Sequence, residues 1–309
     1  MPISMTHTRL VAAPAEDIYR IIADVTLWPV VFGPTVDVRH LARSERSERF
    51  QLWAVVGGEV NTWISRRELD PVARTVEFRQ ERTHPPITAM AGRWSLQPLR
   101  DGRTEVRLDH AFSVADAGAE ATIRAAVDRN SAEELAALGR IAELGHPVDR
   151  VVDTFSDTVL VKGSPEEAYE FIRRSDLWPG RLPHVARVDL VEDAAGVQRM
   201  EMDTVTGDGA AHTTRSVRIC RGPSEIAYKQ LLPPTMLLGH SGRWTFTAVD
   251  AGARVTATHT VAIDPAAARE ALGGERGLDE VREHLRAALG GNTRATLAKA
   301  GAFAAESLH

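Results

Sequence analysis

The sequence predicts an α+β protein of two tandem domains, each an antiparallel sheet curved around a long C-terminal helix. Two observations support this prediction. The second half of the chain repeats the first, and within each half the strands follow one another instead of alternating with helices. The length of 309 residues is typical of about two domains. A sheet wrapped around a helix leaves an internal cavity, which is the expected ligand site.

The repeat is an ordered series of matches about 150 residues apart, with small insertions that change the shift. Two copies are too few, and the period too long, for a solenoid. Glycine and proline in the segment Leu144-Gly145-His146-Pro147 end a helix, so we predict domains at residues 1–147 and 148–309. The matched segments are Leu27-Trp28-Pro29 with Leu177-Trp178-Pro179, Phe78-Arg79-Gln80 with Tyr228-Lys229-Gln230, Gly92-Arg93-Trp94 with Gly242-Arg243-Trp244, His110 with His259, and Asn130 with Asn292.

Each domain begins with a short alternating strand, Thr8 to Val11 or Thr158 to Val161. A helix follows, and in the second domain Ser164 is predicted to be its N-cap with Pro165 at the first helical position. The Leu-Trp-Pro segment is expected to interrupt this helix because proline does not continue it.

Several antiparallel strands come next, with hairpin turns predicted at Asp101-Gly102 and Ala251-Gly252. Each domain then ends in a long helix, about Ala119 to Glu143 and about Leu278 to Leu308. We expect Gly290-Gly291 to bend the second helix, since glycine weakens a helix interior.

Composition excludes several classes of protein. Charged residues make up 26% of the chain and the net charge is −5, which argues against a nucleic-acid-binding protein. The single cysteine, Cys220, fits a cytoplasmic protein, and no apolar run is long enough for a membrane span. Neither a zinc motif nor a dinucleotide-binding glycine motif is found, so no metal and no cofactor is expected.

The most informative strands carry a serine and an arginine two residues apart. By strand alternation, Ser65 and Arg67 share a face with Trp63, and Ser216 and Arg218 share a face with His212 and Thr214. We predict that these faces line the cavities, because an unpaired buried arginine is costly and is rarely kept without a function. In the alternative interpretation the arginines point outward.

Histidines and aromatic residues supply further candidates for substrate contact. His110 and His259 lie on the apolar face of their strand, where a hydrogen-bonded core histidine is the simpler interpretation. His184 and His240 are extra polar candidates in the second domain, with loop or surface positions as the alternative. The predicted substrate contacts are Trp28, Phe32, Trp63, Trp94, His110, Trp178, His184, Thr214, Trp244 and His259.

These residues resemble the didomain aromatase/cyclases of bacterial type II polyketide synthases, which belong to the Bet v 1/START-like helix-grip superfamily. The resemblance covers nearly the whole chain. In single-domain relatives a tryptophan–x–serine–x–arginine strand supplies the arginine held to be catalytic, and this pattern matches Trp63, Ser65 and Arg67. The second domain keeps the serine and arginine but has Thr214 in place of the tryptophan. A pocket tyrosine of the relatives is replaced by Thr35.

The resemblance implies an enzyme that folds a poly-β-ketone tethered to an acyl carrier protein. It would close or aromatise the first ring without a metal or cofactor, together with other polyketide synthase enzymes. The predicted catalytic residues are Ser65, Arg67, His212, Ser216 and Arg218. A non-catalytic carrier of lipophilic ligands is the alternative, since the same fold binds lipids. Whether one domain is catalytic and the other structural stays open.

Overall fold

The computed structural model describes residues 2–83, 85–193, 195–205, 211–274 and 276–306. The chain divides into two compact units, residues 1–151 and 152–309. Each unit contains one seven-stranded antiparallel sheet and one long helix near its C-terminal end. The predicted boundary after residue 147 precedes a short helix that the structure keeps with the first unit.

The first sheet has the strand order β1-β7-β6-β5-β4-β3-β2, so the first strand lies next to the last and the others follow as a meander. Its strands are β1 (Ile3–Val11), β2 (Thr35–Arg43), β3 (Ser47–Val56), β4 (Glu59–Asp70), β5 (Thr75–Arg82), β6 (Ile87–Pro98) and β7 (Thr104–Val114).

The second sheet repeats this topology in the order β8-β14-β13-β12-β11-β10-β9. Its strands are β8 (Val152–Val161), β9 (Val185–Glu192), β10 (Val197–Val205), β11 (Ala211–Arg221), β12 (Glu225–Leu232), β13 (Leu237–Val249) and β14 (Gly252–Ile263). The opening strands are longer than predicted, because β1 and β8 extend several residues toward the N-terminus and pair along their length with β7 and β14.

The helices also correspond between the two domains, apart from α4 and α7, neither of which is expected from the sequence. The helices are α1 (Ala15–Ala23), α2 (Trp28–Val31), α3 (Glu120–Ala142), α4 (Val148–Val151), α5 (Pro165–Arg173), α6 (Trp178–Arg181), α7 (Pro265–Leu272) and α8 (Leu278–Glu306). The first helices end at Ala23 and Arg173, before the Leu-Trp-Pro segments, so these segments do not interrupt them as predicted. The Trp-Pro pairs instead begin the short helices α2 and α6, with proline in the first helical turn.

The start of α5 confirms the predicted N-cap. The Ser164 hydroxyl accepts a hydrogen bond from the Glu167 backbone N–H at 3.2 Å, and the Glu167 carboxylate accepts one from the Ser164 N–H at 2.8 Å. This reciprocal arrangement satisfies two backbone donors that a helix start otherwise leaves open. Helix α1 begins instead after Pro14, whose side chain makes no such bond.

Helix α8 runs without interruption through Gly290-Gly291, where the sequence predicts a bend. A Cβ atom at Gly290 would lie 2.5 Å from a carboxylate oxygen of Asp157 on β8. The glycine therefore permits a close approach between α8 and the sheet. Leu308, the predicted end of this helix, lies outside the described residues.

Each long helix packs mainly against the first strand of its domain, β1 or β8. The first helix packs against β5 and β6, or against β13 and β14, and contacts the long helix of its domain. In the second domain a cluster of buried side chains joins Ala168 and Phe171 of α5, Trp244 of β13 and Leu297 of α8. The face of the sheet that these helices cover positions the candidate site. Among the helices in the described part of the chain, none combines the length and apolar character needed to cross a membrane.

Candidate active site

A single row of register partners crosses each sheet and carries most of the chemically notable residues. We call it the cross-sheet row. Directly opposed residues on antiparallel strands share a face, so their side chains are neighbours. In the first domain the row is Glu48, Arg67, Phe78, Gly92, His110 and Met5. In the second it is Gln198, Arg218, Tyr228, Gly242, His259 and Phe155.

The arginine of the first row is buried, with 1% of its surface exposed, whereas its strand neighbours Arg66 and Glu68 are exposed. Arg67 Nε donates to the Glu48 carboxylate at 2.7 Å. Its Nη1 and Nη2 donate to the backbone carbonyls of Ile22 and Ala23 at 2.7 and 2.6 Å. These carbonyls end α1, so the guanidinium satisfies acceptors at the negative end of the helix dipole.

Two aromatic rings also lie beside the Arg67 guanidinium. The guanidinium carbon lies 4.9 Å from the centroid of Trp28 and 5.5 Å from that of Phe50. Burial lowers the pKa of Arg67, and the nearby Glu48 charge opposes that shift. The same carboxylate contacts Nε2 of the partly exposed His40 at 2.9 Å. Arg67 is thus the centre of a paired ionic network.

The second domain holds its arginine differently. Arg218 is 3% exposed, and its Nη1 and Nη2 donate to Ser175 Oγ at 2.8 Å and to the Ile172 carbonyl at 2.5 Å. Within the described residues no carboxylate lies within ion-pair distance, because Gln198 occupies the position of Glu48. Burial lowers the pKa of Arg218. Its positive charge is compensated by helix carbonyls, by the Ser175 hydroxyl and, without direct contact, by the charge of Glu192.

Two buried polar atoms next to Arg218 have no hydrogen-bond partner among the described residues. They are the Gln198 amide oxygen and the Ser216 hydroxyl. The Gln198 amide nitrogen donates to Glu192 at 2.9 Å and to the Arg173 carbonyl at 3.2 Å, which turns its oxygen away from those groups. Unsatisfied buried polar atoms are uncommon in proteins and often mark a functional site.

A cluster in the second domain was largely missed by the sequence analysis. His240 Nε2, His259 Nδ1 and the Tyr228 hydroxyl converge: the two nitrogens are 3.0 Å apart, and the hydroxyl lies 2.9 Å from His259 and 3.4 Å from His240. The outer nitrogens contact Gln230 Oε1 at 3.0 Å and Thr293 Oγ at 2.9 Å. We call these five residues the tyrosine–histidine cluster.

The two imidazoles of this cluster are buried. His240 is 2% exposed and His259 is 5% exposed, so the alternative of a loop or surface position for His240 is wrong. Burial lowers the pKa of His240 to about 3 and that of His259 to about 4, and it raises the pKa of Tyr228. All three groups are therefore neutral near pH 7.

The first domain has only a reduced version of this cluster. His110 remains, with Nδ1 3.4 Å from the Ser131 hydroxyl, and burial lowers its pKa to about 4. Phe78 replaces the tyrosine and lies edge-on to His110, with 5.5 Å between ring centroids. Met90 replaces His240 in the strand. A sequence signal existed in the repeat, where these two apolar residues align with Tyr228 and His240.

The glycine of each row explains how an aromatic ring fits there. A Cβ atom at Gly242 would overlap the Tyr228 ring and the Thr258 carbonyl, and one at Gly92 would overlap Phe78 and the Asp109 carbonyl. Glycine within a strand commonly permits such close approach. The glycine of the Gly-Arg-Trp repeat therefore leaves the space that the aromatic side chain of the row occupies.

Several predicted site residues of the first domain are packing residues in this structure. Trp28 and Trp63 border a buried cluster around Phe50, and Phe32 lies edge-on to Trp28 at 5.4 Å. Trp94 is buried. Their predicted contact with substrate stays a prediction, as does the catalytic role of Ser65, which is buried on the same face as Arg67.

The remaining predicted residues of the second domain are scattered. His212 is exposed near the start of β11, as is its neighbour Thr213, so its predicted catalytic role with Arg218 stays a prediction. Thr214 and His184 are partly buried, and burial lowers the His184 pKa. Trp178 donates from Nε1 to the Phe171 carbonyl at 3.1 Å, and Trp244 is buried. The row therefore brings Arg218 and His259 together but leaves His212 outside.

Two surface pockets of about 340 Å³ each lie near these rows. One is lined by Arg173, Arg174, Asp176, Leu190 and Glu192, next to Gln198. The other includes Gln80 and Met90 among its lining residues. The internal cavity expected from the fold stays a prediction. In the described part of the chain, no group of three or more histidine, cysteine or acidic side chains is arranged to hold a metal.

Comparison with known proteins gives this architecture a family. The profile of the family described as "Polyketide cyclase / dehydrase and lipid transport" matches the chain twice, at residues 2–143 and 153–299. The chain is 53% identical to the granaticin polyketide synthase bifunctional cyclase/dehydratase of Streptomyces violaceoruber, over 94% of this chain and 91% of that protein. It is 50% identical to the actinorhodin polyketide synthase bifunctional cyclase/dehydratase of Streptomyces coelicolor, over 97% and 96%.

Solved structures agree with this assignment. The di-domain ARO/CYC BexL from the BE-7585A biosynthetic pathway superimposes with a TM-score of 0.84 at 42% identity, covering 98% of both chains. The di-domain ARO/CYC StfQ from the steffimycin biosynthetic pathway gives 0.81 at 35% identity, covering 98% of this chain and 99% of that one. The predicted fold of two tandem helix-grip domains is confirmed. The chain belongs to the polyketide cyclase/dehydrase family and is a two-domain polyketide cyclase/dehydratase.

Proposed function

We propose that this enzyme acts on a poly-β-ketone tethered to an acyl carrier protein, closing the first ring by intramolecular aldol addition and removing water to make it aromatic. The names of the relatives that match nearly the whole chain support the class of substrate. The observation that carries the proposal is a buried arginine beside unsatisfied polar atoms on the inner face of a sheet.

The chemistry needs little acid–base strength at the first step. The α-protons of a poly-β-ketone are acidic, so the enzyme has to hold the chain in a reactive conformation. It also has to stabilise the negative charge that forms on the oxygen of the attacked carbonyl. An arginine can do this with fixed N–H donors and it stays protonated, which makes it a poor base. Water accepts the α-proton in this first step.

Of the two arginines, we assign the oxyanion to Arg218. Arg67 already donates to Glu48 and to two helix carbonyls, and its charge is neutralised. Arg218 has no direct ion pair within the described residues, since the charge of Glu192 acts on it only from a longer distance, and the Ser216 hydroxyl beside it is unsatisfied. A guanidinium without a carboxylate in contact interacts more strongly with a developing negative charge in a desolvated interior than an ion-paired one does.

A non-catalytic lipophile carrier would favour an apolar interior. The second cross-sheet row instead carries an amide, a guanidinium, a phenol and an imidazole on one face. Such a face holds and polarises a chain of ketones better than it holds a hydrocarbon, because each carbonyl oxygen requires a donor when it leaves water. The polar row therefore supports the enzyme over the carrier.

The carrier protein is the proposed partner, together with other polyketide synthase enzymes. Arg173 and Arg174 line the surface pocket next to Gln198. Gln198 and Arg218 both donate to the backbone carbonyl of Arg173, so Arg218 lies close to this pocket. Acidic carrier surfaces suit such arginines, although both already form ion pairs with Glu192 and Asp176. We propose this pocket as the region where the tethered chain approaches.

The test replaces each arginine separately in the full-length enzyme, as Arg218→Ala and Arg67→Ala, and reconstitutes each variant with a minimal polyketide synthase and its carrier protein. Arg218→Gln serves as a second variant that removes the charge but keeps a hydrogen-bonding side chain. Losing one oxyanion donor typically lowers the rate by roughly 100- to 1000-fold. We therefore expect Arg218 variants to release spontaneously cyclised by-products.

Folding is monitored by thermal unfolding in parallel. Arg67→Ala should lower stability, and its products per folded molecule should match those of the wild type. Unchanged products from both well-folded Arg218 variants would remove the proposed role. A changed product profile for well-folded Arg67→Ala would instead transfer the role to the first domain.

A further inference from the structure

The tyrosine–histidine cluster is not explained by the stabilisation of an oxyanion at Arg218. It brings together three atoms that exchange protons, His240 Nε2, His259 Nδ1 and the Tyr228 oxygen, at mutual distances of 3.0, 2.9 and 3.4 Å. It is not required for packing either, because the first domain fills the corresponding positions with Phe78 and Met90 around the same glycine and histidine.

The surroundings of the cluster fix its geometry. Gln230 Oε1 lies 3.0 Å from His240 Nδ1, and Thr293 Oγ on helix α8 lies 2.9 Å from His259 Nε2. A histidine whose outer nitrogen is held in this way has a defined ring orientation. Phe155 stacks on His259 with 5.2 Å between ring centroids. The inner nitrogens are thereby directed at each other and at the phenol.

The cluster also lies next to the proposed oxyanion donor. Arg218 and Tyr228 are directly opposed on β11 and β12, and Ser216 is opposed to Gln230. Tyr228 and Gln230 are only partly buried, whereas the imidazoles behind them are buried. A hydroxyl formed at a carbonyl that Arg218 holds would therefore be one strand away from the phenol.

We propose that Tyr228, His240 and His259 form an acid–base centre in the second domain that removes water from the cyclised β-hydroxy ketone. This inference rests on the proposed function and adds the residues of its dehydration step. The first domain lacks the phenol and one imidazole, so the centre belongs to the second domain alone.

The proposed step balances without any co-reactant. The imidazole pair accepts the proton from the carbon next to the ketone by way of the Tyr228 hydroxyl, which passes its own proton to the imidazoles as it takes up that of the carbon. The electrons of that C–H bond, held first as the enolate, form the new C=C bond. The C–O bond to the hydroxyl breaks as Tyr228 gives its proton to the departing oxygen, which leaves as water. Proton transfer from the imidazolium to the phenolate then restores the starting state.

The resting protonation states agree with these roles. Burial lowers the pKa of both imidazoles, so they are unprotonated and can accept a proton. Burial raises the pKa of Tyr228, so its proton is retained until the leaving hydroxyl is in contact. The imidazolium and phenolate formed during the reaction are about a hydrogen-bond length apart, and each stabilises the other in the desolvated interior.

The first domain supplies well-matched substitutions for the test. Tyr228→Phe and His240→Met place in the second domain the residues that already pack at these positions in the first. Tyr169→Phe is the control, because it makes the same chemical change at another buried tyrosine of the same domain. Each full-length variant is reconstituted with the minimal synthase and carrier protein, and the products are identified by mass spectrometry.

We expect Tyr228→Phe and His240→Met to close the ring but to accumulate a product heavier by one water molecule. The rate of water loss should fall by roughly 100-fold or more, as is typical when a general acid or base is removed. Wild type and Tyr169→Phe should give the dehydrated ring. Dehydrated product formed by Tyr228→Phe at the wild-type rate would overturn the inference.

A synthetic cyclised β-hydroxy ketone, offered without carrier protein, separates this inference from the proposed function. If the wild type fails to convert the tethered chain but dehydrates the synthetic compound in a Tyr228-dependent manner, the acid–base centre stands and the proposed tethered substrate is wrong. If it converts the tethered chain and Tyr228→Phe dehydrates the synthetic compound as fast as the wild type, the proposed function stands and the centre is wrong.

Discussion

The two domains place the same kinds of residue at three positions of the cross-sheet row and differ at the others. Arginine, glycine and histidine recur as Arg67 with Arg218, Gly92 with Gly242, and His110 with His259. At the other three positions the first domain has Glu48, Phe78 and Met5, and the second has Gln198, Tyr228 and Phe155. The first row therefore pairs its arginine with a carboxylate in direct contact, whereas the second has an amide at that position and a phenol next to its arginine.

The same row of positions therefore stabilises the fold in the first domain and leaves its arginine available for chemistry in the second. In both domains the arginine ties the end of the first helix to the sheet through backbone carbonyls. Glu48 adds a full negative charge to this contact, which stabilises the first domain and leaves Arg67 unavailable to a substrate. Gln198 leaves the second guanidinium without a carboxylate in direct contact. A desolvated charge without such an ion pair is costly to the fold but available to a substrate.

The largest expected effect follows from replacing Glu48 of the first domain with glutamine, the residue that the second domain has at this position as Gln198. Glu48→Gln should destabilise the first domain by about 3–5 kcal/mol, because it leaves Arg67 as a buried charge without its partner. It also alters the contact between this side chain and His40 Nε2. Urea unfolding measures the loss of unfolding free energy. Hydrogen exchange of peptides from each domain shows which domain has lost it.

Glu68→Gln is the matched control, since Glu68 pairs with Arg66 on the exposed side of β4, the strand that carries Arg67. Exposed pairs contribute about 0–1 kcal/mol, so this variant should remain close to the wild type. A loss for Glu48→Gln no greater than that of the control would mean that helix carbonyls alone compensate Arg67. The contrast between the two arginines would then disappear.

Acid should affect the second domain more than the first, because it buries two histidines of low pKa where the first buries one. Below about pH 6.5 the unfolded chain binds protons at these histidines, whereas the folded chain does so only near pH 3–4. The unfolding free energy therefore falls as the pH drops through this window. Each histidine contributes about 1.4 kcal/mol per pH unit.

His240→Met isolates this contribution. Carboxylates titrate in the same window but are common to the variant and the wild type, so their effect cancels in the difference. The slope of unfolding free energy against pH, measured between about pH 4.5 and 6, should decrease by about 1.4 kcal/mol per unit in the variant. Equal slopes would indicate that His240 accepts a proton in the folded protein.

The fold and part of the site could be predicted from the sequence because they depend on local patterns. The repeat gave two domains, and alternation along β4 gave the burial of Ser65 and Arg67. The partners of Arg67 could not be predicted in the same way. Glu48 comes from another strand and the carbonyls from a helix end, and neither register nor helix placement is visible in a single sequence.

The differences between prediction and structure have equally local causes. Alternation predicts a shared face for His212 and Arg218, but it does not predict that His212 is exposed near the start of its strand. In β13 both His240 and its neighbour Ser241 are buried, so no alternation marks the histidine as internal. Helix propensity predicts a bend at Gly290, whereas this glycine permits a close contact with Asp157 that only the folded chain defines.

The smallest expected effect concerns the first helices, α1 and α5, which begin differently in the two domains. Ser164→Ala removes the hydroxyl that caps α5 and should destabilise the second domain by about 1 kcal/mol. Helix α1 has no such bond to lose. Hydrogen exchange should therefore speed up in peptides of α5 and remain unchanged in those of α1.

Glu167→Gln is the control for this variant, because glutamine can still accept the hydrogen bond from the Ser164 N–H. It should change exchange in α5 less than Ser164→Ala does. Because Arg218 binds the Ile172 carbonyl at the other end of this helix, a frayed start should leave that anchor intact and cyclisation unaffected. If Ser164→Ala altered the product profile, the start of α5 would be coupled to Arg218 along the helix, and the arginine environment of the second domain would depend on more than its own row.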